Sequence, residues 1–222
     1  MKTKFLLGAA AALLATGGAF AQAAGSVIVY AGAGQINPQV GSGDLTAPSL
    51  AGTKVDVKKA NSFVGGVTYM WTDHLSLDLP IAAPFKHDVV GAGAIQGVGK
   101  LGTVKSLPIT LLAQYRFGEP TSTIRPFIGA GPTYGRFFKP KATAVLSGIT
   151  GGTPANPTTL SMKSRLGVTA EAGVALNINK DWSASLSVTK TFIKTTGSLS
   201  TGQTIETTLD PVSIKFGIGY RF

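Results

Sequence analysis

Val212-Ser213-Ile214-Lys215-Phe216-Gly217-Ile218-Gly219-Tyr220-Arg221-Phe222 ends the chain. Its even positions are all apolar or aromatic and its odd ones are small or polar. A period of two is the signature of a β-strand, whose successive side chains point to opposite faces. The pattern recurs upstream. Leu107, Ile109, Leu111, Ala113, Tyr115 and Phe117 alternate with Thr110, Gln114 and Arg116, broken by Leu112. Leu166, Val168, Ala170, Ala172, Val174, Leu176 and Ile178 face away from Thr169, Glu171 and Asn177. Leu75, Leu77, Leu79 and Ile81 oppose Ser76 and Asp78; Phe63, Val67, Tyr69 and Trp71 oppose Ser62 and Thr68; Trp182, Ala184, Leu186 and Val188 oppose Ser183, Ser185, Ser187 and Thr189. Residues 25–36 and 125–138 add two more strands in which Gly and Pro blur the alternation.

Eight strands of membrane-spanning length use about 80 to 90 residues, which leaves ample chain for hairpin connections. Those connections alternate in length. Thr72-Asp73-His74, residues 118–124 and Asn179-Lys180-Asp181 are short and carry turn chemistry, whereas residues 37–53, 88–105, 139–160 and 197–208 are long and rich in Gly, Thr, Ser and Pro. The expectation is an all-β fold, an eight-stranded antiparallel transmembrane β-barrel with short periplasmic turns and four longer extracellular loops. A soluble carrier barrel alternates in the same way with its apolar side inward, so periodicity alone does not separate the two. The polar set decides, because it is crowded with Gly, Ser and Thr as a narrow interior requires. Trp71, Tyr115, Phe117, Trp182, Tyr220 and Phe222 also gather beside the short turns, as half of an aromatic girdle would.

Composition agrees. Of 222 residues 14% are charged and 44% hydrophobic, so part of the surface faces something other than water. There is no Cys, which excludes disulfide scaffolds and cysteine-built metal sites. Lys2 and Lys4, the apolar run 5–14 and Ala19-Phe20-Ala21 read as a signal peptide over residues 1–21, with 22–222 the barrel. A second small-x-small triplet, Ala21-Gln22-Ala23, leaves a cut after Ala23 open. No later window holds the 18 or so consecutive apolar residues of a spanning helix.

Several stretches resemble the outer-membrane protein W family, which includes the alkane-uptake barrels. They are Leu77-Asp78-Leu79-Pro80 with Ala83-Pro84-Phe85-Lys86-His87-Asp88; Leu107-Pro108 with Gln114-Tyr115-Arg116-Phe117; Arg125-Pro126-Phe127-Ile128-Gly129-Ala130-Gly131; Asn179-Lys180-Asp181-Trp182; Leu209-Asp210-Pro211; and the final six residues. The resemblance implies an eight-stranded barrel whose narrow apolar passage opens outside and releases small hydrophobic molecules sideways into the membrane. Lys190 and Lys194, and the Thr/Gly-rich stretch after Phe138, depart from the family pattern. The terminal Phe222, with aromatic and apolar residues at alternate positions before it, resembles the signal by which bacterial barrels are recognised by the barrel assembly machinery.

Catalytic chemistry has little to stand on. His74 and His87 sit at opposite ends of one strand and share no metal, and both are expected to be solvated. Gly32-Ala33-Gly34 and Gly129-Ala130-Gly131 lack the third glycine of a dinucleotide fingerprint, and no phosphate loop precedes Lys100. A hydrolase built on His87 and Asp88 has no serine placed beside it. No enzyme, cofactor or metal site is expected, and an exported chain has no nucleic acid to bind.

Three groups of residues carry the functional expectations. Asp78, Arg116, Glu171 and Arg221 share the inner parity and form a mutually paired polar plug, since an unpaired charge in so narrow a space is costly. Pro80, Ile81, Pro84 and Phe85 mark a lateral opening, because proline removes ladder donors where lipid offers no replacement; Pro108, Phe127 and Phe137 lie nearby. Lys58, Lys59, Lys139, Lys141, Lys163 and Arg165 form an outward rim for the phosphates of lipid and lipopolysaccharide. The function expected is passive uptake of small hydrophobic solutes; the alternative is a structural or adhesive surface barrel with a closed lumen. Apolar side chains inside the outer half of the barrel favour the first, and a filled lumen favours the second.

Overall fold

The computed structural model describes residues 22–222; the expected signal peptide, residues 1–21, lies outside them. The strands in chain order are β1 (Val27–Asn37), β2 (Gly41–Ser42), β3 (Thr53–Val57), β4 (Ala60–Met70), β5 (Leu75–Ala82), β6 (Phe85–Gly93), β7 (Lys100–Thr110), β8 (Leu112–Arg116) and β9 (Ile124–Ala142). Helix α1 (Ala144–Thr150) follows, then β10 (Leu160–Met162), β11 (Arg165–Asn177), β12 (Trp182–Phe192), β13 (Lys194–Leu199), β14 (Thr204–Thr208) and β15 (Val212–Arg221).

Each alternating segment of the sequence becomes a wall strand. Antiparallel pairing runs β1–β4–β5–β8–β9–β11–β12–β15 and closes when β15 returns to β1, with Val29 opposite both Val67 and Tyr220. β5 continues into β6 past Ala83 and Pro84, and β7 continues into β8 past Leu111, so eight strands make a closed ring. Closure removes the sheet edges that a hydrocarbon environment would leave unsatisfied.

The ring is inside-out. Val29, Leu79, Ile109, Ile128, Val168, Leu186 and Phe216 are exposed on the outer wall, while Thr68, Asp78, Gln114, Arg116, Thr169, Glu171 and Ser187 are buried within. That parity rules out the soluble carrier barrel, which would bury the first set. At the short-turn end the aromatics interlock edge-to-face: Tyr115 with Phe117 at 5.0 Å, and Tyr220 with Trp182 at 5.1 Å and Phe222 at 4.9 Å. Exposed Phe63, Tyr134 and Phe192 supply the second girdle. From Trp182 to Phe192 along β12 the band is roughly 25 Å tall, the height of an outer-membrane hydrocarbon belt.

The interior is narrow because it is built on small residues. A Cβ at Gly66 would collide with the Tyr30 phenol, and one at Gly173 with the Phe127 ring. These two aromatics therefore cross the lumen over glycines.

The long connections are more ordered than their composition suggests. β3 pairs with β6, and β10, β13, β14 and β2 form a second sheet. Helix α1 is capped by the Thr143 hydroxyl accepting from the Leu146 amide and ends at the left-handed Gly151. Leu45, Ile95, Leu101, Leu146, Leu199 and Ile205, spread over all four connections, bury one another in a small core above the wall. Isolated apolar residues in Gly/Thr-rich sequence carry no readable period, so this cover was not legible in advance.

A lipid-facing wall makes a distinctive demand. Leu186→Arg is expected to destabilise the barrel in phospholipid bilayers by about 2–4 kcal/mol in urea titrations. A wall facing water would tolerate arginine at this exposed position with almost no change.

Candidate functional site

The inner face of the ring divides by chemistry. In the short-turn half, inward parity supplies Asp78 from β5, Gln114 and Arg116 from β8, Glu171 from β11 and Lys215 from β15. Glu171 pairs with Lys215 at 2.9 Å and accepts from the Gln114 amide at 2.7 Å. Arg116 donates to Gln114 Oε1 at 2.8 Å, Ser76 Oγ at 3.0 Å and Gln22 Oε1 at 3.1 Å, and its guanidinium lies 4.9 Å from the Phe127 ring centroid. Asp78 accepts from Thr68 at 2.7 Å and from the Tyr30 hydroxyl at 3.3 Å. Two acids and two bases balance, and among the described residues no buried side-chain polar atom lacks a partner.

Of the four residues expected to pair here, Asp78, Arg116 and Glu171 come together and Arg221 does not. Arg221 shares their face but lies nearer the short-turn end, its backbone N–H donating to the Asp181 carbonyl at 2.8 Å. Lys215, on the same face of β15, takes its place. Parity tells which face a residue occupies; strand tilt decides its height, and a register row climbs around the wall. Sequence reading also missed Gln22 and Gln114. Gln22 is buried, and its side chain bridges Arg116 to Asn177. Arg125, fully buried, gathers the carbonyls of Gln22, Asp73 and Gly118 and so ties the short turns beneath the barrel.

Above this cluster the lumen opens into a cavity of about 1100 Å³, part of it continuous with solvent. Ile36, Val64, Phe85, Val104, Leu112 and Pro108 line it, and Val57, Phe137, Ile193 and Leu209 ring its upper part. Lys215 borders both the cavity and the polar cluster. A smaller apolar pocket lies within the loop core between Leu45, Ile95, Leu101, Leu146 and Leu199.

The wall is incompletely zipped beside the cavity. β5 pairs with β8 only from Leu75 opposite Tyr115 to Asp78 opposite Leu112, and pairing resumes at Phe85 opposite Ser106. No ladder pairs join the stretch 79–84 to 107–111, where Pro80, Pro84 and Pro108 contribute no N–H. Ile81, 58% exposed on the outer wall, also borders the cavity from that stretch, and Phe85 points inward and is buried.

His87 overturns one expectation, because it is buried rather than solvated, 3% exposed on the cavity wall. Its Nδ1 donates to the Lys58 carbonyl at 2.8 Å, which leaves Nε2 to accept from the Ser106 hydroxyl at 3.1 Å. It sits on β6 beyond the apolar belt, and burial holds its imidazole below the usual histidine range. His74 stacks on Tyr115 with ring centroids 5.8 Å apart.

The basic residues of the rim are exposed. Lys58 is paired with Asp56 at 2.7 Å, whereas Lys59, Lys139, Lys141, Lys163 and Arg165 have no acidic partner within 4 Å among the described residues. Lys139 has positive φ, a kink after which Lys139 and Lys141 both stay on the exposed face of β9.

Residues 23–222 match the OmpW family, and the chain belongs to it. It is 35% identical to outer membrane protein W of Escherichia coli K12 over the full length of both chains. The crystal structure of the outer membrane protein OprG from Pseudomonas aeruginosa superposes with a TM-score of 0.81 at 27% identity, covering 91% of this chain and 98% of that one. The solid-state NMR structure of outer membrane protein AlkL shares the fold, with a TM-score of 0.66 at 17% identity and 94% of each chain covered. The protein is therefore an outer-membrane barrel, its short turns periplasmic and its long loops extracellular.

Two measurements probe the geometry. Lys215→Met strands the Glu171 carboxylate and is expected to cost about 3–5 kcal/mol in urea unfolding, whereas Arg221→Gln changes stability by about 0.5 kcal/mol or less. Equal effects would mean that the two bases contribute alike. His87 binds its proton less well folded than unfolded, so its contribution is complete above the ordinary value of 6.5 and is lost as pH falls below it. The slope is at most about 1.4 kcal/mol per pH unit. His87→Gln should flatten that acid limb; an unchanged limb would place the titration elsewhere.

Proposed function

We propose that this OmpW-family barrel admits small apolar solutes passively from outside the cell and releases them sideways into the outer membrane. The observation that carries this reading is an apolar cavity with a charge-balanced polar cluster beneath it and, on one side, a stretch of wall without ladder pairs. An apolar solute gains by leaving water for Phe85, Val104 and Phe137, at roughly 25 cal/mol per Å² buried. The plug of Asp78, Arg116, Glu171 and Lys215, completed by Gln22 and Gln114, offers it no comparable gain and blocks a straight path to the periplasm. The gap at Pro80, Ile81 and Pro84 leads instead to hydrocarbon.

The ordered extracellular cover favours a second reading, a surface barrel that binds a partner through its loops and conducts nothing. Uptake separates the two. In proteoliposomes, or in cells lacking their own copy, the wild-type barrel should speed entry of a small hydrocarbon, and Pro80→Val with Pro84→Val should lower that rate severalfold by letting the wall zip. An unchanged rate would move the exit elsewhere; no acceleration by the wild type would favour the closed surface barrel.

The free lysines at the rim belong to the membrane in this reading. Lys59, Lys139, Lys141, Lys163 and Arg165 give an apolar solute nothing, whereas anionic headgroups gain charge-assisted hydrogen bonds. Replacing Lys139, Lys141 and Lys163 with Gln should lower the lipopolysaccharide retained by purified protein and leave hydrocarbon uptake unchanged. A collapse of uptake would instead put the rim on the solute path. Phe222, exposed beside Tyr220, is available to the barrel assembly machinery. Signal-peptide cleavage after Ala21 retains Gln22 for the plug and cleavage after Ala23 removes it; the intact mass of the mature chain distinguishes them.

A further inference from the structure

One side of the cavity is lined by hydroxyl-bearing residues. Thr110 of β7, Thr133 of β9, Thr169 of β11 and Thr191 of β12 stand on four adjacent strands and all line it. Their hydroxyls form one chain: Thr110 to Thr133 at 2.9 Å, Thr133 to Thr169 at 2.5 Å and Thr169 to Thr191 at 2.7 Å. Ile36 of β1 and Val64 of β4, on strands away from these four, also line the cavity, as does Leu112 beside Thr110.

The hydrogen-bond arithmetic leaves capacity over. Each hydroxyl brings one proton and two lone pairs, so three bonds among four hydroxyls use three of four protons and three of eight lone pairs. In a one-way chain the spare proton sits on Thr110 or Thr191; where a middle hydroxyl accepts from both neighbours it sits on Thr133 or Thr169. Among the described residues none of the four side chains has a partner outside the chain. Valine has the same shape and would fill a narrow interior equally well without hydroxyls in need of partners. The wall carries no lysine or arginine charge to spare, because Lys215, the one such residue bordering the cavity among the described residues, is held by Glu171. An ionised group here would pay its desolvation without a counter-ion.

We infer that this threonine rail is a binding subsite for one uncharged hydrogen-bonding group, so that the preferred solutes are apolar molecules carrying a single alcohol, ketone or ester oxygen rather than plain hydrocarbons. This inference rests on the channel reading for its biological use, though not for the binding itself. The oxygen lies along the rail, accepting the spare proton or donating to a free lone pair, and the tail lies against Val64, Phe85 and Leu112.

The test compares 1-octanol with n-octane on the mature barrel. In nanodiscs with methyl-labelled threonine, the hydroxyl-bearing methylene of 1-octanol should show nuclear Overhauser contacts to Thr133 and Thr169; contacts from its terminal methyl alone would overturn the assignment. In cells lacking their own copy, Thr133→Val with Thr169→Val should lower the octanol-to-octane uptake ratio roughly threefold to tenfold, the worth of one or two net hydrogen bonds. Thr133→Ser with Thr169→Ser keeps the hydroxyls and should keep the ratio, which guards against a variant that merely folds badly. An unchanged ratio in the folded valine variant, or an equal fall in both rates, would overturn the subsite. If wild type speeds neither solute while the nuclear Overhauser contacts are present, the channel reading fails and the subsite stands.

Discussion

Glu171 and Lys215 meet at 2.9 Å inside a ring of eight strands, and the surrounding architecture depends on that neutralisation. A barrel this narrow buries an inner carboxylate such as Glu171, and leaving it unpaired would cost several kcal/mol. Gln114 extends the pair to Arg116, which reaches Ser76 and Gln22, while Thr68 and Tyr30 satisfy Asp78. The polar side chains thus gather in the periplasmic half, around a smaller polar pocket. Above it lies a roomier, apolar cavity.

On the channel reading proposed above, that division sets the direction of traffic. Below the cavity the lumen is crossed by hydrogen-bonded side chains, and Arg125 ties the short turns beneath them. Above it stands a cover with its own apolar core. Sideways, the ladder lapses between residues 79–84 and 107–111, where prolines withhold the donors that would close it. The outer belt is continuous apolar surface between two aromatic girdles, so a solute crossing the gap passes from one apolar phase to another and the chain supplies no energy for the step.

The wall was legible because it obeys a period of two with little exception. Val212 to Phe222, the stretch around Leu111 and the stretch around Val174 each fixed an element and both of its faces. The inner site was legible by face and not by height: Asp78, Arg116 and Glu171 lay on the right parity, and so did Arg221 and Lys215, but only the tilt of the strands shows which of the two bases reaches Glu171. Gln22 gave no signal, since its role depends on where the chain's start is drawn into the barrel. His87 looked solvated at a strand end because the extension of β6 and β7 beyond the belt, which buries it, is made of residues that read as loop. The threonine rail hid for a related reason: its members are far apart in sequence and meet only through register and the diagonal between neighbouring strands.

Single-channel recording on the purified wild-type barrel in planar bilayers bears most directly on whether the periplasmic end is closed. A lumen sealed by Glu171, Lys215, Arg116 and Gln22 predicts no steady ohmic current, with current appearing once Arg116 and Lys215 are both replaced by alanine in a barrel that still folds. A large, stable wild-type conductance would contradict it, since ions would then pass straight through and an apolar solute would have no need to leave by the wall.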